Sequence, residues 1–113
     1  MPALDSPALP ELRLELAMPD VAAPVAVTVL LADRNRAAIL ALLRDGPHCV
    51  CELAAALDER SNNVSNHLAR LREAGLVRAS RAAADTRRVY YERDEVACAA
   101  ALSELGTILE PLR

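Results

Sequence analysis

The sequence predicts a mainly α-helical domain with one small β-hairpin, in the order α-α-α-α-β-β-α. Three observations carry this. Apolar residues recur at i, i+4 and i+7 in several windows, which is helical spacing. Cap and stop residues (Asp33, Gly46-Pro47, Gly75, Asp94) divide those windows into short helices. Between Gly75 and Asp94 the rhythm changes to alternation, which is strand spacing.

Residues 1–19 form an N-terminal arm, and residues 20–113 form the domain. The arm holds Pro2, Pro7, Pro10 and Pro19 around an amphipathic Leu12, Leu14, Leu16 stretch, so it is a short helix or a partly flexible segment. Asp20 is a suitable N-cap for a first helix to about residue 32, with Pro24 tolerated in its first turn. That helix is apolar nearly all round and must bury several faces, which suits a subunit interface. Asp33 caps a second helix over residues 34–44, and Gly46 and Pro47 end it. His48-Cys49-Val50-Cys51 opens a third helix over residues 50–57, with Leu53 and Leu57 on one face.

After a tight turn at residues 58–60, Ser61 caps a fourth helix over residues 62–74, and Gly75 stops it. Val64, Leu68 and Leu71 keep the helical rhythm and leave the opposite face free. Two helices, a few-residue turn and a polar leading edge make a helix-turn-helix. Residues 76–81 and 87–92 read as the strands of a wing, and residues 82–86 as its loop. Asp94 caps a last helix over residues 95–109, in which Val96, Ala100, Leu102, Leu105, Ile108 and Leu109 make a broad apolar surface. The expected architecture is a dimeric winged helix-turn-helix.

Composition narrows the function. The 113 residues carry a formal net charge of −3, but the charges are segregated. Residues 60–93 hold eight Arg against three acids, while residues 1–59 hold four Arg against nine acids. A basic block inside an acidic chain suits a local phosphate-binding face, although a solvated surface with chance clustering gives the same count. Asn62, Asn63, Ser65 and Asn66 on the leading half of the fourth helix are the candidates for base edges or phosphates. Arg70, Arg81, Arg87 and Arg88 are the candidates for gripping phosphates. Ordinary capping and solvation is the plainer account of the same residues. His67 beside Leu68 reads as a structural histidine.

The chain is 53% apolar yet has no Phe and no Trp, so its core must come from Leu, Val, Ile and Ala. Such thin helical cores are often completed by dimerisation. The apolar run at residues 21–32 is too short to span a bilayer, so no membrane role is expected. Residues 1–15 carry Pro, Asp and Glu where a secretion signal needs a basic start and an apolar run. The three cysteines are an odd number, and a CxC pair rarely closes a relaxed bridge, so a reducing, cytoplasmic setting is expected. No phosphate loop, catalytic carboxylate pair or Ser/His/Asp spacing is placed, and an enzyme is not expected.

Cys49 and Cys51 form a soft donor pair that selects thiophilic ions. Residues i and i+2 lie on opposed sides of an ideal helix. Both sulfurs therefore reach one ion only if the first turn of the third helix is unwound or the pair sits at its edge. A third ligand is open between Cys98, which is equally a small buried apolar residue, and His48.

Several motifs together resemble the ArsR/SmtB family of metal-responsive repressors. They are Leu31-Ala32-Asp33-Arg34-Asn35-Arg36, Cys49-Val50-Cys51-Glu52-Leu53, residues 61–68 with Val64-Ser65-Asn66-His67-Leu68, residues 71–77 and Val89-Tyr90-Tyr91, across roughly residues 27–109. The resemblance implies a homodimer that holds double-stranded operator DNA until a thiophilic ion releases it. Cys49 and Cys51 match the thiolate pair of arsenite, antimonite, cadmium and lead sensors, so As(III) or Sb(III), or else Cd(II) or Pb(II), is the implied inducer, with no organic cofactor. The third cysteine frequent in arsenic repressors falls on Ala54, and the arm has no cysteine to lend. The zinc-site positions of the last helix fall on Asp94, Val96, Thr107 and Glu110, without histidine, which argues against zinc there. A thiol-based redox or reactive-sulfur sensor of the same fold is the alternative.

Overall fold

The computed structural model describes residues 11–80 and 87–112. Among these residues five α-helices and three short strands follow one another: α1 (Ala22–Leu31), α2 (Arg34–Leu42), β1 (His48–Cys49), α3 (Val50–Leu57), α4 (Ser61–Glu73), β2 (Val77–Ala79), β3 (Tyr90–Arg93) and α5 (Glu95–Leu109). The expected helices and hairpin are all present. The added element is β1, so the sheet has three antiparallel strands in the order β1-β3-β2. His48 stands opposite Tyr91 and Cys49 opposite Tyr90, while Val77, Arg78 and Ala79 face Arg93, Glu92 and Tyr91.

The helix ends follow local hydrogen bonding. Asp33 caps α2 by accepting from the Asn35 and Arg36 amides at 2.8 and 3.1 Å. The last turn of that helix tightens into a 3-10 turn at Leu43–Asp45, and Gly46 takes φ +139°, which a side chain would resist. Asp94 caps α5 through the Ala97 amide at 3.0 Å. Helix α4 closes with a Schellman arrangement: Gly75 N–H donates to Arg72 O at 2.9 Å and Leu76 N–H to Leu71 O at 3.0 Å, with Leu71 and Leu76 both buried.

Several expected boundaries move. Asp20 accepts from the Ala22 amide at 3.1 Å, so it braces a helix that begins two residues later. Ser61 is the first residue of α4 rather than its cap; Arg60 holds the cap position without a side-chain bond. The wing strands are shorter than the alternation suggested, and β3 starts at Tyr90 because pairing with β1 defines that end. In the arm, residues 11–19 form no helix, and Leu12, Leu14, Leu16 and Met18 are exposed.

The core joins α2, α3, α4 and β2 through Ile39, Leu43, Leu53, Val64, Leu68, Leu71, Leu76 and Val77. Helices α1 and α5 pack on each other, yet α5 has no fully buried residue and α1 buries only Pro24. Val25, Val29, Val96, Leu102, Ile108 and Leu109 remain open to solvent. Among the described residues no helix is long and apolar enough to cross a membrane.

Candidate metal centre and nucleic-acid interface

Cys49 and Cys51 come together because Cys49 is not helical. It is the N-cap of α3, with φ −85° and ψ 166°, while Cys51 lies in the first turn. The extended residue turns its sulfur back toward the helix. The two Cα atoms are 5.4 Å apart and the sulfurs are joined as a disulfide. A bridge is thus present at a spacing where a relaxed one is rare. The pair straddles the start of α3, the edge position that the sequence allowed as a way for both sulfurs to reach one point. Cys49 is 2% exposed and Cys51 is exposed, so one sulfur is anchored in the fold and the other faces solvent.

The cap itself is unusual in using sulfur. Glu52 N–H donates to Cys49 Sγ at 3.4 Å, and Cys49 N–H donates to Glu52 Oε1 at 3.0 Å, which is a capping box with a cysteine sulfur in place of a hydroxyl. The Cys49 amide, then the nearby His48 ring, hold the Glu52 carboxyl below the usual range. His48 Nδ1 lies 3.5 Å from Glu52 Oε1. Cys98 sits on α5 in an apolar cleft of about 160 Å³ with Leu31, Leu40, Leu76 and Leu105. Its thiol points to Leu76 O at 3.8 Å, and burial pushes its pKa up. Among the described residues no three His, Cys, Asp or Glu side chains converge within one chain on a point suited to an ion.

The second site is α4 and its surroundings. Helices α3 and α4 pack on each other across a three-residue turn whose first member, Asp58, adopts a left-handed φ of +51°. Asn62, Asn63, Ser65, Asn66 and Arg70 are all exposed on α4, as their spacing demanded. Asn62 Oδ1 accepts from the Asn63 amide at 3.0 Å, so Asn62 is a local cap as well as a surface group. Asn63 Nδ2 donates to Glu59 Oε1 at 2.8 Å, and Glu59 also takes the Arg60 amide at 3.0 Å and Asn35 Nδ2 at 3.5 Å. These bonds hold the Glu59 carboxyl low, the Arg60 amide contributing most. Glu59, which the sequence reading passed over, thereby ties the start of α4 to α2.

His67 is structural: its Nδ1 is 3.5 Å from Arg36 Nη1 and its Nε2 is 3.8 Å from Asp33 Oδ1. Arg36 in turn donates to Leu30 O at 2.6 Å, so the end of α1, the start of α2 and the middle of α4 meet.

On the wing, Arg87 and Arg88 are exposed, and Arg81 lies outside the described residues. Arg78 belongs to the same basic block but is neutralised, with Nε 2.9 Å from Glu92 Oε2 and Nη1 3.1 Å from Asp94 Oδ2. Arg72, not singled out from the sequence, lines an open groove with Ser65 and Tyr91 between α4 and β3. Arg93 Nε is 3.0 Å from Glu95 Oε2 without the alignment of a hydrogen bond.

A helix-turn-helix with a paired wing beside it, and a cysteine pair at the start of its first helix, define the class: a winged helix-turn-helix protein. Residues 33–79, from the cap of α2 to the end of β2, match the family described as bacterial regulatory protein, arsR family. Over that segment the chain is similar to the arsR family. It is 46% identical over 55 residues to the arsenical resistance operon repressor of Escherichia coli (strain K12), an alignment covering 48% of this chain and 47% of that one. The chain spans about half the length of the curated relatives it matches. Among solved structures, a possible transcriptional regulator for arsenical resistance superimposes with a TM-score of 0.67 at 28% identity, covering 75% of this chain and 85% of that one. Wild-type Lactococcus lactis ZitR in complex with DNA superimposes with a TM-score of 0.51 at 28% identity, covering 62% and 48%.

Proposed function

We propose that this chain is a cytoplasmic, homodimeric repressor that binds double-stranded operator DNA and releases it when a thiophilic ion is held by Cys49 and Cys51. Arsenite or antimonite is the first choice of inducer, given the arsenical-resistance relatives, and cadmium or lead the second. The observation that carries this reading is the convergence of the two sulfurs at the start of α3. Reduced to thiolates, they are a soft donor pair, and a helix N-terminus favours anionic sulfur. Cys98 or His48 is the candidate third donor. Since no third donor joins the pair among the described residues of one chain, Cys98 supplied by a partner subunit fits better than an intrachain set.

Two contacts carry the effect to DNA. Helix α3 packs on α4, and Cys49 is itself part of a strand paired with the wing. Drawing Cys49 toward an ion shifts both. In a dimer, where two recognition helices must match two half-sites, a small tilt in each breaks the fit. The coupling asked of such a switch is about 1–3 kcal/mol. Asn62, Asn63, Ser65 and Asn66 read bases or hold phosphates, and Arg70, Arg81, Arg87 and Arg88 grip phosphates.

The test is a gel shift on the DNA upstream of the coding region under reducing conditions. Arsenite, antimonite, cadmium or lead is expected to release the wild type, whereas Cys49→Ser and Cys51→Ser stay bound. Retention of the wild type in all four salts refutes the ion reading. The bonded sulfurs favour one second reading, a thiol redox or reactive-sulfur sensor. That reading expects release by an oxidant or a polysulfide and none by the ions.

A further inference from the structure

We infer that Glu52 is the positioning residue of the thiol pair: its carboxylate holds Cys49 in the extended conformation that brings the two sulfurs together. The inference rests on the ion-binding reading above and adds a residue to it. In a continuous helix the side chains of residues 49 and 51 would diverge. They meet only because Cys49 keeps φ −85° and ψ 166°.

Two sets of hydrogen bonds secure that backbone. One is the short ladder of β1 with β3, which is only two residues long. The other is the capping box, and its two halves are unequal. Sulfur is a weak acceptor, so the 3.4 Å bond from Glu52 N–H to Cys49 Sγ contributes little. The 3.0 Å bond from Cys49 N–H to the Glu52 carboxylate is charge-assisted and is the stronger half. When an ion takes the sulfur, the weaker half is lost. Glu52 then remains as the bond that keeps Cys49 outside the helix. The carboxylate needs no contact with the ion. Its role parallels the groups around metal sites that orient the ligands themselves.

The experiment uses the full chain with Cd(II) as the probe, reading thiolate-to-metal ultraviolet absorption. Glu52→Ala is expected to weaken Cd(II) uptake by roughly 10- to 100-fold, the usual cost of removing a ligand-orienting group. Glu52→Gln, which keeps an acceptor oxygen at the same reach but without the charge, is expected to recover most of that loss. Glu52→Asp, whose shorter side chain pulls back from the Cys49 amide, is expected to fall between them and carries the test if the Ala variant does not fold. Wild-type affinity in both Glu52→Ala and Glu52→Asp overturns the inference. So does a Gln variant as weak as Ala, because an acceptor oxygen held at the Cys49 amide would then count for nothing.

A second readout needs no ion. In a Cys98→Ser background, glutathione disulfide accepts two electrons and two protons from the Cys49 and Cys51 thiols. It leaves as two glutathione thiols while the Cys49–Cys51 bond forms. Glu52→Ala is expected to shift this closure toward the open dithiol, and Glu52→Gln to restore it. Absence of a Cd(II) band in the wild type sinks the ion reading alone. Equal closure in wild type and Glu52→Ala sinks the role of Glu52 alone.

Discussion

Cys49 stands directly opposite Tyr90 in the β1–β3 ladder, so the buried thiol of the candidate ion site is one residue wide of the wing. A change at the sulfur therefore has a backbone route to the wing that bypasses the recognition helix. On adding Cd(II), amide hydrogen exchange is expected to quicken in Tyr90 and Tyr91 as well as in the first turn of α3. Exchange confined to α3 and α4, with operator release intact, removes the wing from the mechanism.

Charge on the wing is a poor guide to DNA contact without the structure, and salt dependence separates the two. Arg70→Gln and Arg88→Gln are each expected to lower the slope of log affinity against log salt by about 1, as for lost phosphate contacts. Arg78→Gln is expected to leave the slope unchanged, because Glu92 and Asp94 already neutralise that guanidinium. A slope change at Arg78 equal to that at Arg70 contradicts this division.

The base of α4 depends on carboxylates that must stay ionised. Hydrogen bonds from the Arg36 amide hold the Asp33 carboxyl low, and those from the Arg60 amide and the Asn63 side chain hold Glu59 low. A folded-state value below the unfolded one adds stability above the unfolded value, and that stability is lost as pH falls through the folded value. Stability is therefore expected to hold through neutral pH and to decline once the medium is more acid than the ordinary carboxyl values of 3.8 and 4.5. Glu59→Gln is expected to flatten that decline in a urea titration repeated across pH. An unchanged acid limb in Glu59→Gln rejects the assignment.

Much of this organisation is legible in the sequence, and the exceptions share a cause. Val64, Leu68 and Leu71 announced the buried face of α4 because helical periodicity is local, and Asp33 and Asp94 announced caps for the same reason. Strand β1 was missed because two residues carry no alternation and their partners lie some forty positions away. The pairing of Arg78 was missed because one of its acids is across the hairpin and the other caps α5. Glu52 had a visible sign, since Cys49-x-x-Glu52 copies the Ser-x-x-Glu capping box with sulfur for oxygen. Reading cysteine only as a ligand hid it.

Packing sets the size of the core penalties. Leu71 is 0% exposed and closes both the core and the end of α4. Leu71→Ala is expected to cost about 2–5 kcal/mol of unfolding free energy, for lost burial and the cavity left behind. In a domain with no Phe or Trp to absorb the loss, that is a large share of the ~5–15 kcal/mol typical of small folds. A denaturant midpoint unmoved by this change contradicts the assigned core.

The open apolar faces of α1 and α5 give the last prediction. Val29 is 63% exposed and Leu102 72% exposed, on two helices that pack together and bury little else. A contiguous apolar surface of this kind marks a contact face, and a second copy of the chain is the proposed cover. Val29→Asp and Leu102→Asp place a charge in that contact, where its desolvation is unfavourable. Both are expected to shift sedimentation from dimer to monomer. They are also expected to weaken operator binding strongly, because a monomer engages one half-site rather than two. Sedimentation unchanged from wild type in both variants places the dimer contact elsewhere.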